Sequence, residues 1–463
     1  MTPVQTVNPF APFLKYMYYL YLFFNQNEPV MRKLLYLILI LLTPFAAALA
    51  QTPSLQVSHP LSDGWSENAG MSPERLERID HMLERAVARG DIPGAVALVA
   101  RDGEIIYQKA FGMADIQTGR PLSTDDIFRI ASQTKAITST AVMMLWEEGR
   151  FRLDDPVSRF IPEFANTTVL DNFNPADTTY TTVEAEGEIT IRHLLTHTSG
   201  IGYGIIDGDE RFRKIYQKAG IVDLFTTEDI SIEENVRRLA ALPLHHNPGE
   251  KYTYSESIDV LGYLIEVISG MPFDIFLRER LFDPLGMDDT WFYLPPEKAG
   301  RLVPVQARTG SGEWVPYESN YYDPDYPVTG ARRFFSGGAG LSSTAKDYAT
   351  FLQMYLNAGE LNGIRFLSRT TINFMMANHI GDLWGEDPDS HLGLAFGVLT
   401  KKGQDRGGQG SEGTFNWGGY FNTQFFADPR EQIIGVLMKQ TRGQVSDNTA
   451  WQFRILTHQA ADD

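Results

Sequence analysis

Ser132 and Lys135 stand one i, i+3 step apart, with Phe128-Arg129-Ile130-Ala131 leading in and a largely apolar run, Ala136 to Leu145, leading out. On a helix that begins at or just before Ser132, positions three apart share a face, so the hydroxyl and the amine can meet. A serine hydroxyl is a weak nucleophile until a neighbouring base takes its proton. A lysine set into the first turn of an apolar helix loses hydration, which lowers its pKa toward that duty. Free N–H groups at a helix start favour developing negative charge. These are the parts of an acyl-transfer nucleophile. The pattern is common, however, and a second copy occurs at Ser343-Thr344-Ala345-Lys346, where Ser343 reads as a helix N-cap. The same capping role is open to Ser132.

Two other stretches could complete such a site. Tyr252-Thr253-Tyr254-Ser255-Glu256 follows a Pro248-Gly249 turn and precedes a helix. A phenol beside a lysine can serve as general base, although a core tyrosine with its hydroxyl at the rim gives the same pattern. Phe415-Asn416-Trp417-Gly418-Gly419-Tyr420 precedes a strand. Glycines at a strand edge admit close approach of a substrate, and a backbone N–H there could form an oxyanion hole with that of Ser132. A tight turn would look the same. The sequence holds no G-x-S-x-G elbow and no H-E-x-x-H. His245 and His246 are adjacent and would point apart, and Gly337-Gly338-Ala339-Gly340 lacks the Lys-Ser/Thr of a phosphate loop. Neither a metal nor a cofactor is expected.

The elements that must position these residues come from a chain of 463 residues, 43% hydrophobic, enough for one large domain or two. With 40 Lys and Arg against 58 Asp and Glu, the net charge of −18 argues against a nucleic-acid partner and for solubility. Cysteine is absent, which removes disulfides and thiol chemistry. Met31-Arg32-Lys33, the apolar run Leu34 to Leu42 and Ala48-Leu49-Ala50 read as a signal peptide cleaved before Gln51. An exported protein, periplasmic or secreted, with no stable membrane anchor after cleavage is therefore expected. Residues 1–30 read as an extension upstream of the working start at Met31; their apolar run, Leu14 to Phe24, leaves a paired membrane segment as the alternative.

Residues 51–70 are polar and turn-rich, a loose lead-in. Ser72-Pro73 opens an amphipathic helix to Ala88. Gly94 to Ala100 and Glu104 to Phe111, joined by Asp102-Gly103, read as a β-hairpin. Residues 166–188 read as a surface loop, and helices are expected over 232–242, 257–269, 273–282, 343–356 and 448–458. Strands are expected over 394–400, 422–427 and 432–438, with a loop over 403–413. The simplest packing is an α+β fold in which the first hairpin joins the last strands in one antiparallel sheet flanked by helices. A sheet subdomain of about 71–125 and 335–460 then receives a mainly helical inserted domain of about 126–334, together spanning 71–460, with Ser132 at their seam.

The order and context of these pieces resemble the serine β-lactamase-like superfamily, especially class C β-lactamases and the family VIII carboxylesterases. The likeness rests on Ser132-Gln133-Thr134-Lys135 after Phe128-Arg129-Ile130-Ala131, on Thr190-Ile191-Arg192-His193-Leu194-Leu195-Thr196-His197-Thr198-Ser199-Gly200, and on Tyr254-Ser255. Pro284-Leu285-Gly286-Met287, Gly337-Gly338-Ala339-Gly340-Leu341 and Trp417-Gly418-Gly419 add to it. The resemblance implies that Ser132 forms an acyl-enzyme, that Lys135 helps deprotonate it, and that Tyr254 acts as general base and then protonates the leaving group. It puts Trp417-Gly418-Gly419 at the Lys-Thr-Gly element and the oxyanion hole at the N–H groups of Ser132 and Tyr420. Two departures bear on the substrate. Glu256 replaces the amide of a Tyr-x-Asn element, and Trp417 replaces a cation that would hold a substrate carboxylate. Both disfavour anionic substrates. A serine hydrolase for small carboxylic esters is expected, with a β-lactamase, a D-amino-acid peptidase or a non-catalytic binding relative as alternatives.

Overall fold

The computed structural model describes residues 52–319, 322–385, 388–407, 409–442 and 447–463. The signal-peptide and upstream-extension expectations fall outside the described residues. The rest, from Pro53 on, forms one unit.

A short strand, β1 (Ser62–Asp63), precedes helix α1 (Pro73–Ala88). Ser72 caps α1 by accepting the Arg75 N–H, Pro73 fills the first turn, and Leu76, Ile79, Met82, Leu83 and Ala86 form the buried stripe. Strands β2 (Gly94–Arg101) and β3 (Glu104–Asp115) form the expected hairpin. Asp102 (φ 52°) and Gly103 (φ 83°) are both left-handed, the pairing a two-residue hairpin turn requires.

The α+β architecture expected from the sequence is present. Besides Arg120–Pro121, which pairs with β3, the remaining strands of the nine-stranded main sheet are, in chain order, β4 (Ser390–Leu392), β5 (Gly397–Leu399), β6 (Phe415–Gly418), β7 (Gln424–Asp428) and β8 (Ile433–Met438). They assemble in the order β4-β5-β6-β7-β8-β2-β3-β1. Only β1, contributed by the lead-in segment, pairs parallel. The first and last thirds of the chain meet where β8 pairs with β2, Ile433 opposite Arg101 and Met438 opposite Val96.

All eight residues of β2 are buried, because the sheet is covered on both faces. Ala95, Ala97 and Val99 point to a small core under α1 and the C-terminal helix α5 (Thr449–His458). Val96, Leu98 and Ala100 point to the main core, where α4 (Ala345–Leu356) crosses β2 and β8. Period-two alternation thus divides one apolar strand between two cores. Beside the sheet, α2 (Thr134–Glu147) packs on α3 (Ser257–Ser269), which ends at left-handed Gly270 as its sequence indicates. Thr134 to Leu145 of α2 are all buried, the pattern of a helix surrounded by protein.

Several local expectations change. Residues 166–188 are not simply loop: Thr168–Phe173 pairs antiparallel with Tyr180–Glu184, a hairpin whose Thr- and Asp-rich composition hid its β-branched alternation. The helix at Phe273 continues past Phe282 to Leu285 through a π-turn over Arg278–Phe282 and stops at left-handed Gly286. Pro284 offers no N–H to the Arg280 carbonyl, and the wider turn accommodates that loss. Lys401–Asp405 is a short helix capped by Thr400 where loop was expected, and β4 precedes the strand expected near Leu394.

Candidate active site

The approach to Ser132 is fixed from both sides. Phe128–Arg129 pairs with Ser342–Ser343, the Ile130 N–H donates to the Leu341 carbonyl at 3.0 Å, and Gln440 exchanges side-chain bonds with the Arg129 backbone. Ala131 then takes φ 45°, a left-handed conformation that costs a non-glycine residue on the order of 1 kcal/mol. That bend turns the chain into a 3₁₀ turn, Ala131–Gln133, from which α2 continues. Ser132 sits half-buried at this start, ahead of the first regular α-helical turn.

Lys135 is 4% exposed and its Nζ lies 3.3 Å from Ser132 Oγ and 2.7 Å from the Gly338 carbonyl oxygen, to which it donates. The Tyr254 hydroxyl donates to Ser132 Oγ at 2.8 Å, and Lys135 Nζ stands 4.6 Å from the centroid of the Tyr254 ring. One hydroxyl, one amine and one phenol therefore converge from positions 122 residues apart in the chain.

The second Ser-x-x-Lys copy has no such company. Ser343 lies in a strand, fully buried, with its hydroxyl 2.8 Å from Thr290 Oγ1, while Lys346 is exposed. The N-cap of α4 is Thr344 rather than Ser343, since Thr344 Oγ1 accepts the Asp347 N–H.

His197 supports Tyr254 and was not singled out by its chemistry in the sequence. It has φ 54°, its carbonyl accepts the Thr253 N–H, its Nδ1 accepts the Ser255 N–H at 3.2 Å, and its ring lies 4.7 Å from that of Tyr254. Burial, then the positive charge of Lys135, hold this imidazole well below the usual histidine range, so it is a neutral acceptor.

Trp417 closes one side of the cleft, 6.2 Å from the Tyr254 ring and 6.4 Å from Trp384. It is a strand residue, since β6 includes Phe415 to Gly418, not the lead-in to a strand. After Gly418 the chain turns. A Cβ on Gly419 would run into Thr423 Oγ1 and the Ile130 carbonyl oxygen, so only glycine lets this turn rest against the segment that carries Ser132. The Gly419 N–H donates to Thr423 O, whereas the Tyr420 N–H has no protein acceptor among the described residues. Beside Lys135 and Trp417 the side chains of Leu195, Ile258, Leu394 and Ala395 close in on a niche of about 10 Å³, room for one water at most.

A β-lactamase family model matches residues 79–459. The chain belongs to the β-lactamase family. Esterase EstB of Burkholderia gladioli is 34% identical over 79% of this chain and 90% of its own. Lovastatin esterase of Penicillium rubens is 27% identical over 77% of this chain and 91% of its own. Among solved structures, that of EstCE1, a hydrolase with promiscuous acyltransferase activity, superposes with a TM-score of 0.70 at 27% identity, covering 84% of this chain and 99% of the other.

Within this β-lactamase-family chain, one site expectation needs correction. Glu256 does not line the cleft. It is 1% exposed, turned inward at the start of α3 with its N–H donating to the Gly202 carbonyl. Burial, then the nearby Asp223 and Asp259, push its carboxyl well above the usual range. It is thus a buried neutral acid and brings no negative charge to a bound substrate. Arg308-Thr309-Gly310 and Tyr420-Phe421-Asn422 match the missing Lys-Thr-Gly and Tyr-x-Asn elements in residue type only: Arg308 donates to Gly312 O in its hairpin, and Asn422 to Thr441 Oγ1.

Proposed function

We propose that this chain is an exported carboxylesterase that cleaves small esters through an acyl-enzyme on Ser132. The observation that carries it is the convergence of Tyr254 and Lys135 on Ser132 Oγ at 2.8 and 3.3 Å. As an ester enters, the Lys135–Tyr254 pair takes the serine proton and Oγ attacks the carbonyl carbon. The N–H groups of Ser132 and Tyr420 receive the oxyanion. Tyr254 returns the proton to the departing alcohol, and a water molecule activated by the same pair then hydrolyses the acyl-enzyme. The relatives named as esterases support the ester preference, as does an aromatic residue, Trp417, in place of a carboxylate-binding lysine.

Burst kinetics with p-nitrophenyl acetate or butyrate, abolished in Ser132→Ala, is the expected result; unchanged turnover in that variant overturns the assignment. Nitrocefin turnover well above ester turnover would instead favour a lactamase. Failure of a fluorophosphonate to label Ser132 in folded protein would mark a binding relative. Export rests on the Met31 to Ala50 sequence, and a mature protein beginning at Gln51 outside the cytoplasm is the expected outcome of N-terminal sequencing.

A further inference from the structure

We propose that Asp259 is a positioning residue of this reaction, acting through Gly338 as the buried counter-charge that keeps Lys135 aimed at Ser132. Asp259 lies in the first turn of α3 and is 2% exposed. Its Oδ1 accepts the Gly338 N–H at 3.3 Å, and the carbonyl oxygen of the same residue accepts Lys135 Nζ at 2.7 Å. One residue therefore joins carboxylate and amine. A methyl group built on Gly338 would stand 2.7 Å from Asp259 Oδ2 and 3.6 Å from Lys135 Nζ, so both groups flank a single point that glycine leaves open. The hydrogen bonds of Lys135 go to Ser132 Oγ and Gly338 O, and no carboxylate among the described residues meets it directly.

The other ionisable groups around the pair do not supply that charge. Facing Lys135 are the rings of Tyr254 and Tyr203, at 4.6 and 5.7 Å, and the neutral imidazole of His197. Facing Asp259 are Glu256, held neutral, and Asp223, whose oxygens accept the N–H groups of Gly204 and Ile205. Burial raises the pKa of Asp259, and the Ser336 hydroxyl, then Lys135 and the Gly338 N–H, oppose that rise only in part.

A buried anion disfavours loss of a proton from an acid–base pair beside it. Its removal eases that loss whichever of the two gives the proton up, because both products carry one positive charge fewer. The consequence is a defined change in pH dependence, which a role confined to packing does not produce. The inference depends on Ser132 being the nucleophile.

The test is the pH profile of kcat/KM for p-nitrophenyl butyrate in wild type, Asp259→Asn and Gly338→Ala. Asp259→Asn keeps an acceptor for the Gly338 N–H but removes the charge. Its ascending limb is expected to move to lower pH by about one unit. Gly338→Ala pushes the carboxylate away from Lys135 and is expected to move the limb in the same direction, which keeps the test available if Asp259→Asn does not fold. Fluorophosphonate labelling of Ser132 certifies that each variant is folded. A limb that stays in place in labelled variants overturns the role of Asp259 and leaves the nucleophile assignment standing. A wild type that does not label overturns both.

Discussion

His197 lies beneath Tyr254, with ring centroids 4.7 Å apart and planes tilted by 44°. The phenol that reaches Ser132 is therefore backed by a neutral imidazole whose Nδ1 also holds the next backbone N–H, that of Ser255. His197→Asn keeps a residue that tolerates the φ of 54° but removes the ring. We expect a loss of stability of about 1–3 kcal/mol and a fall in ester kcat of roughly 10- to 100-fold, read by thermal melts and steady-state kinetics. The pH dependence carries a sign. The folded state keeps this imidazole neutral, while the unfolded chain binds a proton below its ordinary value of 6.5, so wild-type stability falls as pH drops through 6.5. That component of the slope should vanish in His197→Asn.

Glu256 gives the opposite sign. Its folded pKa is raised, so its contribution is fully present below the ordinary value of 4.5 and is lost progressively as pH rises above it. Glu256→Gln cannot ionise and escapes that loss. The stability difference between Glu256→Gln and wild type should therefore grow in the variant's favour between about pH 5 and pH 8. Chemical denaturation at both pH values measures it, and a constant difference would show that the carboxyl ionises freely.

The family resemblance puts Trp417 where a lysine would hold a substrate carboxylate. Trp417→Lys should raise kcat/KM for a carboxylate-bearing lactam such as nitrocefin by roughly tenfold, the value of one charge-assisted hydrogen bond. It should lower kcat/KM for neutral p-nitrophenyl esters, which lose an aromatic wall. Parallel assays on one preparation distinguish a change of preference from damage to the site.

Gly419→Ala forces a methyl group against the Ile130 carbonyl oxygen and Thr423 Oγ1. Such overpacking costs about 1–3 kcal/mol. Because the displaced turn carries the Tyr420 N–H, ester turnover should fall further than the melting temperature alone accounts for. Kinetics at a temperature where the variant is fully folded make the comparison.

How much of this was legible depends on the range of each interaction. The hairpin of β2 and β3 was readable because Asp102-Gly103 and a short continuous apolar run are local signals. The Ser132–Lys135 approach was readable because i, i+3 spacing implies it. Tyr254 required the surrounding pattern, since nothing local brings residue 254 to residue 132. The support from His197 was not readable as chemistry: it acts on Ser255 across 58 residues through a backbone bond. Glu256 misled because the start of a helix can present a side chain to the cleft or to the core, and its backbone bond to Gly202 settles that choice. Asp259 is one polar position in an apolar helix, and nothing local in the sequence brings Gly338 against it.

The pairing of β8 with β2, and of Gln440 with Arg129, also ties the site to the far end of the chain. Ser132 lies in the first third of the chain, yet the segment holding it leans on residues close to the end. Arg129 and Gln440 are 311 residues apart in the chain, so closing this contact is the non-local kind of step that slows folding. Loss of even a short C-terminal stretch should therefore silence chemistry whose reacting groups lie some 180 residues and more upstream of Met438.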